Sequence, residues 1–234
     1  MKTGIIGAME PEIEILSAKL QNQRCEHRAW ADFYCGTISG QEIVIVRSGI
    51  GKVCAGGVTA LLISDFGVDC IINTGCAGAV SKELKIGDTV FSTRAACHDA
   101  DLTVFGYKKG QMADQPQFFD ADPGLIAQAE RAAADLPSLK GHIRKGTVIS
   151  GDQFISDRNK RQELTTMFPD ALVTEMEGAA VAQVACNCKV PFLIVRAVSD
   201  CAYEGDPMTY EEFLPLAAQN CASLILKMLA LQAP

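Results

Sequence analysis

Apolar positions along the chain fall into short unbroken runs, separated by longer segments in which they recur with helical spacing. Residues 2–8, 68–73, 88–92, 142–150 and 192–198 read as strands. Runs without alternation mark strands covered on both faces. Residues 32–38 and 42–48 alternate about Ser39-Gly40 and read as a hairpin. A helix begins at Glu10, with Pro11 in its first turn. Residues 53–66, 123–136, 157–168 and 210–231 carry further helical patterns. The segment 173–188 reads as a strand end turning into an alanine-rich helix. Strands alternating with helices predict the α/β class: a single three-layer domain, residues 1–234, with a mixed central sheet flanked by helices.

Composition adds limits. The chain has 234 residues, 48% of them hydrophobic, and a net charge of −7, which suits one sizeable core. No basic cluster with interleaved aromatics appears, so a nucleic-acid surface is not expected. Residues 1–9 are too short an apolar run for a secretory signal, and Glu10, Glu12 and Glu14 follow at once. No uncharged apolar stretch approaches the roughly 20 residues that span a bilayer, and no membrane partner is expected. The ten cysteines lie mostly in apolar segments, without a Cys-x-x-Cys pair. They read as reduced, buried thiols of a cytoplasmic protein rather than a disulfide framework. Cys97, His98, Asp99 and Asp101 crowd one short loop and rarely close a tetrahedron from there, so no metal is expected.

Candidate chemistry concentrates in residues 173–200. Glu177 and Asp200 each stand where a buried element begins or ends, and such carboxylates are costly unless paired or used for proton transfer. Taken singly, Glu177 reads as a helix cap and Asp200 as a turn opener. Glu10, Glu12 and Glu14 complement a helix dipole; Glu12, one turn in, is placed to point back over a strand end, where open α/β sheets bind ligands. Ser48-Gly49-Ile50-Gly51-Lys52 follows a strand and precedes a helix, yet Cys54 breaks a dinucleotide fingerprint and Val53 breaks a phosphate loop. A tight strand-to-helix turn remains. The small residues Thr74-Gly75-Cys76-Ala77-Gly78-Ala79 permit close approach of a backbone. Leu102, Phe105 and Tyr107 lie in a loop-like context, either as a contact surface or tucked onto their own domain.

Several of these segments, in order over nearly the whole length, resemble the 5′-methylthioadenosine/S-adenosylhomocysteine nucleosidase family of the purine nucleoside phosphorylase-like superfamily. They are Gly4-Ile5-Ile6-Gly7-Ala8-Met9-Glu10, Ser48-Gly49-Ile50-Gly51-Lys52-Val53, Asn73-Thr74-Gly75, His98-Asp99-Ala100-Asp101, Phe105-Gly106-Tyr107, Ser150-Gly151-Asp152, Glu175-Met176-Glu177 and Val195-Arg196-Ala197-Val198-Ser199-Asp200. The resemblance implies hydrolysis of the bond between adenine and ribose, a place in methionine salvage, and no cofactor. It implies that Asp200 protonates adenine N7, its acidity weakened by desolvation at the strand end, and that Glu12 activates water. This is the division of labour of inverting glycoside hydrolysis.

The same resemblance implies that Glu177 binds the ribose hydroxyls over Met176. Phe154 would stack on adenine and the backbone of Ile155 would meet its edge. Ala8, Gly78 and Ser199 would line the site, with Ser199 holding Asp200. Met9 and Ile50 would receive the 5′-alkylthio group. Leu102, Phe105 and Tyr107 would cross to the second subunit of a homodimer. Cys76 replaces a serine common in the family, and the loop after Asp200, residues 201–207, departs from it. Three rivals stand beside this reading. One is a phosphorylase using phosphate, against which Asn73 (arginine in such phosphorylases) and Glu12 both argue. Another is a futalosine-type hydrolase. The last is a non-catalytic nucleoside-binding module, for which three carboxylates around a neutral ligand have no use.

Overall fold

A computed structural model gives the fold and describes residues 1–201 and 210–231. The strands are β1 (Lys2–Gly7), β2 (Gln21–Arg28), β3 (Ala31–Ile38), β4 (Gln41–Arg47), β5 (Cys70–Ala79), β6 (Thr89–Cys97), β7 (Phe119–Asp120), β8 (Ile143–Ser150), β9 (Ala171–Glu175) and β10 (Phe192–Cys201). The helices are α1 (Glu10–Ser17), α2 (Lys52–Ser64), α3 (Pro123–Ala134), α4 (Arg158–Met167), α5 (Gly178–Asn187) and α6 (Tyr210–Leu231).

All ten strands join one mixed sheet, ordered β10-β6-β8-β9-β5-β1-β4-β3-β2, with β7 on β6. The unbroken apolar runs are explained by cover on both sides. In β1, Ile6 joins a core with Val58 and Leu62 of α2, and Ala182 of α5. Its neighbour Ile5 joins a second core with Leu16 of α1, Ala129 of α3, and Leu224 and Ile225 of α6. Ile71 and Ile72 of β5, and Ile194 and Val195 of β10, divide between the same two cores. Period-2 side-chain alternation inside a helix-sandwiched sheet requires apolar residues at both parities.

Three features lie beyond the sequence reading. The central strand β5 pairs with β10 as well as with β9, so β10, β6, β8, β9 and β5 curl into a closed ring, from which β1, β4, β3 and β2 extend. The edge strand β2 has no apolar pattern and exposes all but one residue; pairing with β3 alone makes it a strand. Its charges suit an edge that must not recruit another chain. Finally, Phe213–Leu231 of α6, which Lys227 interrupts, is long and apolar enough by composition to cross a membrane. Its buried face, with Cys221, Leu224, Ile225 and Met228, packs into the second core. Of the loop expected at residues 201–207, Cys201 ends β10 and the rest lies outside the described residues.

Candidate active site

Strand ends and the turns that follow them surround a cleft enclosing about 660 Å³, open water at its mouth included. It is lined by Ala8, Met9, Glu12, Ile50, Cys76, Gly78, Phe154, Ile155, Met176, Glu177, Ser199 and Asp200, together with Ala77, Gln153, Thr174 and Glu175. Residues far apart in sequence therefore meet, and the three carboxylates singled out above face one cavity. Leu102, Phe105 and Tyr107 do not line this chain's cleft. They surround a short 3₁₀ turn, Thr103–Phe105, with Val104 and Phe105 strongly exposed.

Glu12 sits in the first turn of α1, where it folds back over the end of β1. Its Oε2 accepts from the backbone N–H of Ala8 (2.7 Å) and Met9 (3.0 Å), and its Oε1 from that of Cys76 (3.2 Å). Pro11 starts the helix at no hydrogen-bond cost. Burial pushes the Glu12 carboxyl above the usual carboxylate range, against the pull of Arg196 and the three N–H groups. Gly75 makes this approach possible: a Cβ there would lie 2.3 Å from Arg196 Nη1 and 2.6 Å from Glu12 Oε1.

Arg196 is buried beneath the cleft floor. Its Nη2 donates to Asn73 Oδ1 at 2.7 Å, pairs with Glu175 and lies 3.8 Å from Glu177. Asn73 also donates to Ile6 O (3.1 Å), so it faces inward and does not line the cleft.

The cap of α5 differs from expectation. Glu175, not Glu177, holds the helix start. It accepts from the N–H of Glu177 (3.0 Å) and Gly178 (2.8 Å) and from Ser150 Oγ, which itself accepts from Ala179 N (2.7 Å). Glu177 occupies the N-cap without capping. Its side chain turns into the cleft, where Oε1 accepts from Gly51 N at 2.8 Å. Burial, then the charge of Glu175, push the Glu177 carboxyl up to about 7.

Asp200 owes its direction to a bulge. The β5–β10 register runs Val198 to Ala77 and then Asp200 to Gly78, leaving Ser199 unpaired between them. Bulges re-aim side chains in this way. Ser199 Oγ lies 3.2 Å from Asp200 Oδ1 and also donates to Ala77 O (3.3 Å). Its side chain is 32% exposed and pairs with the buried Arg161 of α4.

At the mouth, Phe154 is exposed and Ile155 buried. The loops around them are pinned by Lys52, which contacts Asp99 Oδ1 at 2.5 Å and Asp152 Oδ2 at 3.8 Å. Asp101 instead pairs with Lys109. The loop carboxylates considered for a metal are thus engaged by lysines. Among the described residues no group of three or more His, Cys, Asp or Glu could hold a metal ion.

Glu175 and Arg161 were not anticipated as site residues. For Arg161 a signal existed: it shares the inward face of α4 with Leu164, just before the buried Phe168, and a cation on an apolar stripe needs a partner. For Glu175 the strand parity of Glu-Met-Glu put two acids on one side, but not which of them the helix would take.

The fold and this carboxylate-lined cleft define the class: residues 2–230 match the phosphorylase superfamily. A protein of Tolumonas auensis, a 5′-methylthioadenosine/S-adenosylhomocysteine nucleosidase, is 42% identical over 98% of this chain and 99% of its own length. Similar solved structures include the nucleosidase of Colwellia psychrerythraea in complex with adenine (42% identity, 98% and 94% of the two chains, TM-score 0.91). The Neisseria meningitidis nucleosidase in complex with methylthio-immucillin-A is also similar (40%, 98% of each, 0.92). So is a futalosine hydrolase mutant of Helicobacter pylori (32%, 97% and 98%, 0.89). The chain belongs to the 5′-methylthioadenosine/S-adenosylhomocysteine nucleosidase family, and it is an enzyme of the N-glycosyl hydrolase class.

Proposed function

We propose that this enzyme hydrolyses the N-ribosidic bond of 5′-methylthioadenosine and S-adenosylhomocysteine, with water as nucleophile, releasing adenine and a 5-thio-substituted ribose. One observation carries the choice of water. The described lining of the cleft holds the carboxylates Glu12, Glu175, Glu177 and Asp200 and neither lysine nor arginine. Phosphate recognition needs cationic donors. The two arginines nearby are already paired, Arg196 with Glu175 and Arg161 with Asp200. Asn73, buried and turned inward, adds no cation to the cleft.

In the proposed reaction Glu12 takes a proton from water as the water oxygen bonds to the ribose anomeric carbon. Its raised basicity suits that role. Asp200 gives a proton to adenine N7 as the bond to N9 breaks and its electron pair stays with the purine. The base leaves neutral, and both carboxyl groups reset by exchange with solvent. Glu177 binds the ribose hydroxyls and stabilises the oxocarbenium-like sugar above Met176. Phe154 stacks on adenine, and the Ile155 backbone meets its edge. Met9 and Ile50 receive the alkylthio group. Cys76 stands beside Glu12, and Ala8, Gly78 and Ser199 complete the walls.

The exposed Phe105 supports a homodimer in which Leu102, Phe105 and Tyr107 cross to a second copy. The buried cysteines and acidic balance support a cytoplasmic enzyme, and the relatives' substrates support a place in methionine salvage. The resemblance to the Helicobacter pylori futalosine hydrolase mutant favours a second reading, with a futalosine-type nucleoside also cleaved.

The test is product analysis with methylthioadenosine, adenosylhomocysteine and futalosine, with and without phosphate. Adenine and free methylthioribose at equal rates in both buffers are expected from methylthioadenosine. Phosphate-dependent formation of a ribose 1-phosphate would overturn the proposal.

A further inference from the structure

Arg161 is a buried cation that the reaction as written does not use. It is 2% exposed, on the face of α4 that also carries Leu164. Its guanidinium makes three contacts. Nε donates to Ile155 O (3.1 Å), Nη1 donates to Ala79 O (2.9 Å), and Nη2 pairs with Asp200. One group thus joins the acid, the strand facing it and the segment assigned to the adenine edge. Gly78 is shaped to this pair: a Cβ there would lie 3.1 Å from Asp200 Oδ1 and 3.2 Å from Arg161 Nη1. Burying a guanidinium is expensive where leucine would fill the same space, so its charge has to be compensated or used.

We propose that Arg161 is the positioning residue of the leaving-group acid, holding Asp200 against Gly78 and stabilising its carboxylate as the proton passes to the purine. The inference rests on the nucleosidase reading above. The step is the one already balanced: Asp200 loses its proton to N7, the C–N bond opens toward the base, and Arg161 keeps its own protons throughout. Stabilisation that grows as the carboxylate forms lowers the barrier rather than merely tightening binding.

The other charged and titratable groups around the cleft act in the opposite sense or are engaged elsewhere. Glu12 from α1 and Glu175 and Glu177 from the β9–α5 turn oppose a further negative charge. Cys76 of β5 stays a neutral thiol, raised by burial and by Glu12. Arg196 on the acid's own strand is committed to Glu175 and Asn73. Among the described residues, Arg161 is the cation paired with Asp200.

The consequence is a pH signature. An arginine beside a carboxyl lowers the pH at which it deprotonates by about 1–3 units. Removing Arg161 therefore shifts the alkaline limb of kcat for methylthioadenosine to higher pH by about one unit or more. On the acid side of that limb kcat falls about tenfold or more, because the proton leaves less readily. The experiment compares kcat and KM against pH for the wild type, Arg161→Leu and Arg161→Lys, with circular dichroism as the check on folding. R161L is expected to show the displaced limb. R161K is expected to restore the wild-type limb while raising KM, since lysine cannot hold both carbonyls. If R161L fails to fold, Arg161→Gln carries the same test, being neutral yet able to donate to a carbonyl. A folded neutral variant with an unmoved limb overturns the proposal, whatever its rate. A wild-type enzyme that releases no adenine overturns the nucleosidase reading and this inference with it, whereas an active wild type with an unmoved limb overturns this inference alone.

Discussion

The backbone N–H of Gly51 donates to Glu177 Oε1 at 2.8 Å, joining residues 126 apart in sequence. Gly51 is the N-cap of α2 and has φ +98°, a conformation that favours glycine. The glycine-rich turn that failed both nucleotide motifs thus aims its helix N-terminus at a carboxylate of the protein itself. The positive end of a helix receives either kind of anion by the same physics.

That carboxyl is buried and pushed up to about 7, so it should write a pH dependence into stability. Because the folded value lies above the unfolded one, its contribution is complete below about pH 4.5 and is lost as pH rises through about 7. Glu177→Gln removes the group while keeping an acceptor for Gly51. The melting temperature of the variant should fall less between pH 4.5 and 7 than that of the wild type, with a difference worth on the order of 3 kcal/mol at most. Glu12, raised in the same direction, keeps part of the slope. Parallel thermal profiles for the two proteins would contradict this account.

Asp200→Asn and Glu12→Gln separate the two ends of the reaction. Each should lower the rate of adenine release by about 10²–10⁴. The asparagine Oδ1 can still accept from Arg161 but leaves that buried charge uncompensated, so the first variant should stay folded yet melt below the wild type. In Glu12→Gln the amide can keep its oxygen toward Ala8 and Met9 but then turns an NH₂ toward the N–H of Cys76, at a cost of about 1–3 kcal/mol. Near-normal turnover by either variant would reassign the acid or the base.

Gly75→Ala tests how closely the floor is packed. Its Cβ would meet Arg196 and Glu12 at 2.3 and 2.6 Å. Forced movement of a buried ion pair network should cost about 1–3 kcal/mol by overpacking alone and remove activity through Glu12. Urea unfolding, read beside turnover, would measure both; an unaffected enzyme would mean that the floor has slack.

Cys76 lines the cleft, yet burial and the nearby Glu12 hold its thiol far above the ordinary cysteine range. The thiolate is the reactive form. Iodoacetamide at pH 8 should therefore label the exposed Cys25 and Cys188 first and leave activity intact. Peptide mass mapping during inactivation is the check, and early modification of Cys76 would show that the thiol is less protected than its surroundings imply.

Much of this was legible beforehand. Apolar runs in β1, β5 and β10 and the helical spacing of α3 and α4 reflect local burial, which periodicity records. The cleft residues from Ala8 to Asp200 were legible through family resemblance, and they do meet. What escaped notice depended on partners distant in sequence. Strand β2 exists because β3 lies beside it, and Arg161 matters because its helix lies against the end of β10.

Residue order alone determined that strands and helices alternate, that the strands with unbroken apolar runs are covered on both faces, and that acidic groups stand at their ends. The tertiary structure decided which acid each neighbour would take: Glu175 for the start of α5, Glu177 for Gly51, Asp200 for Arg161. Periodicity reports how one segment meets solvent or core. The pairing of charges is settled by contacts across many residues, and by a single bulge at Ser199 that turns Asp200 toward Gly78.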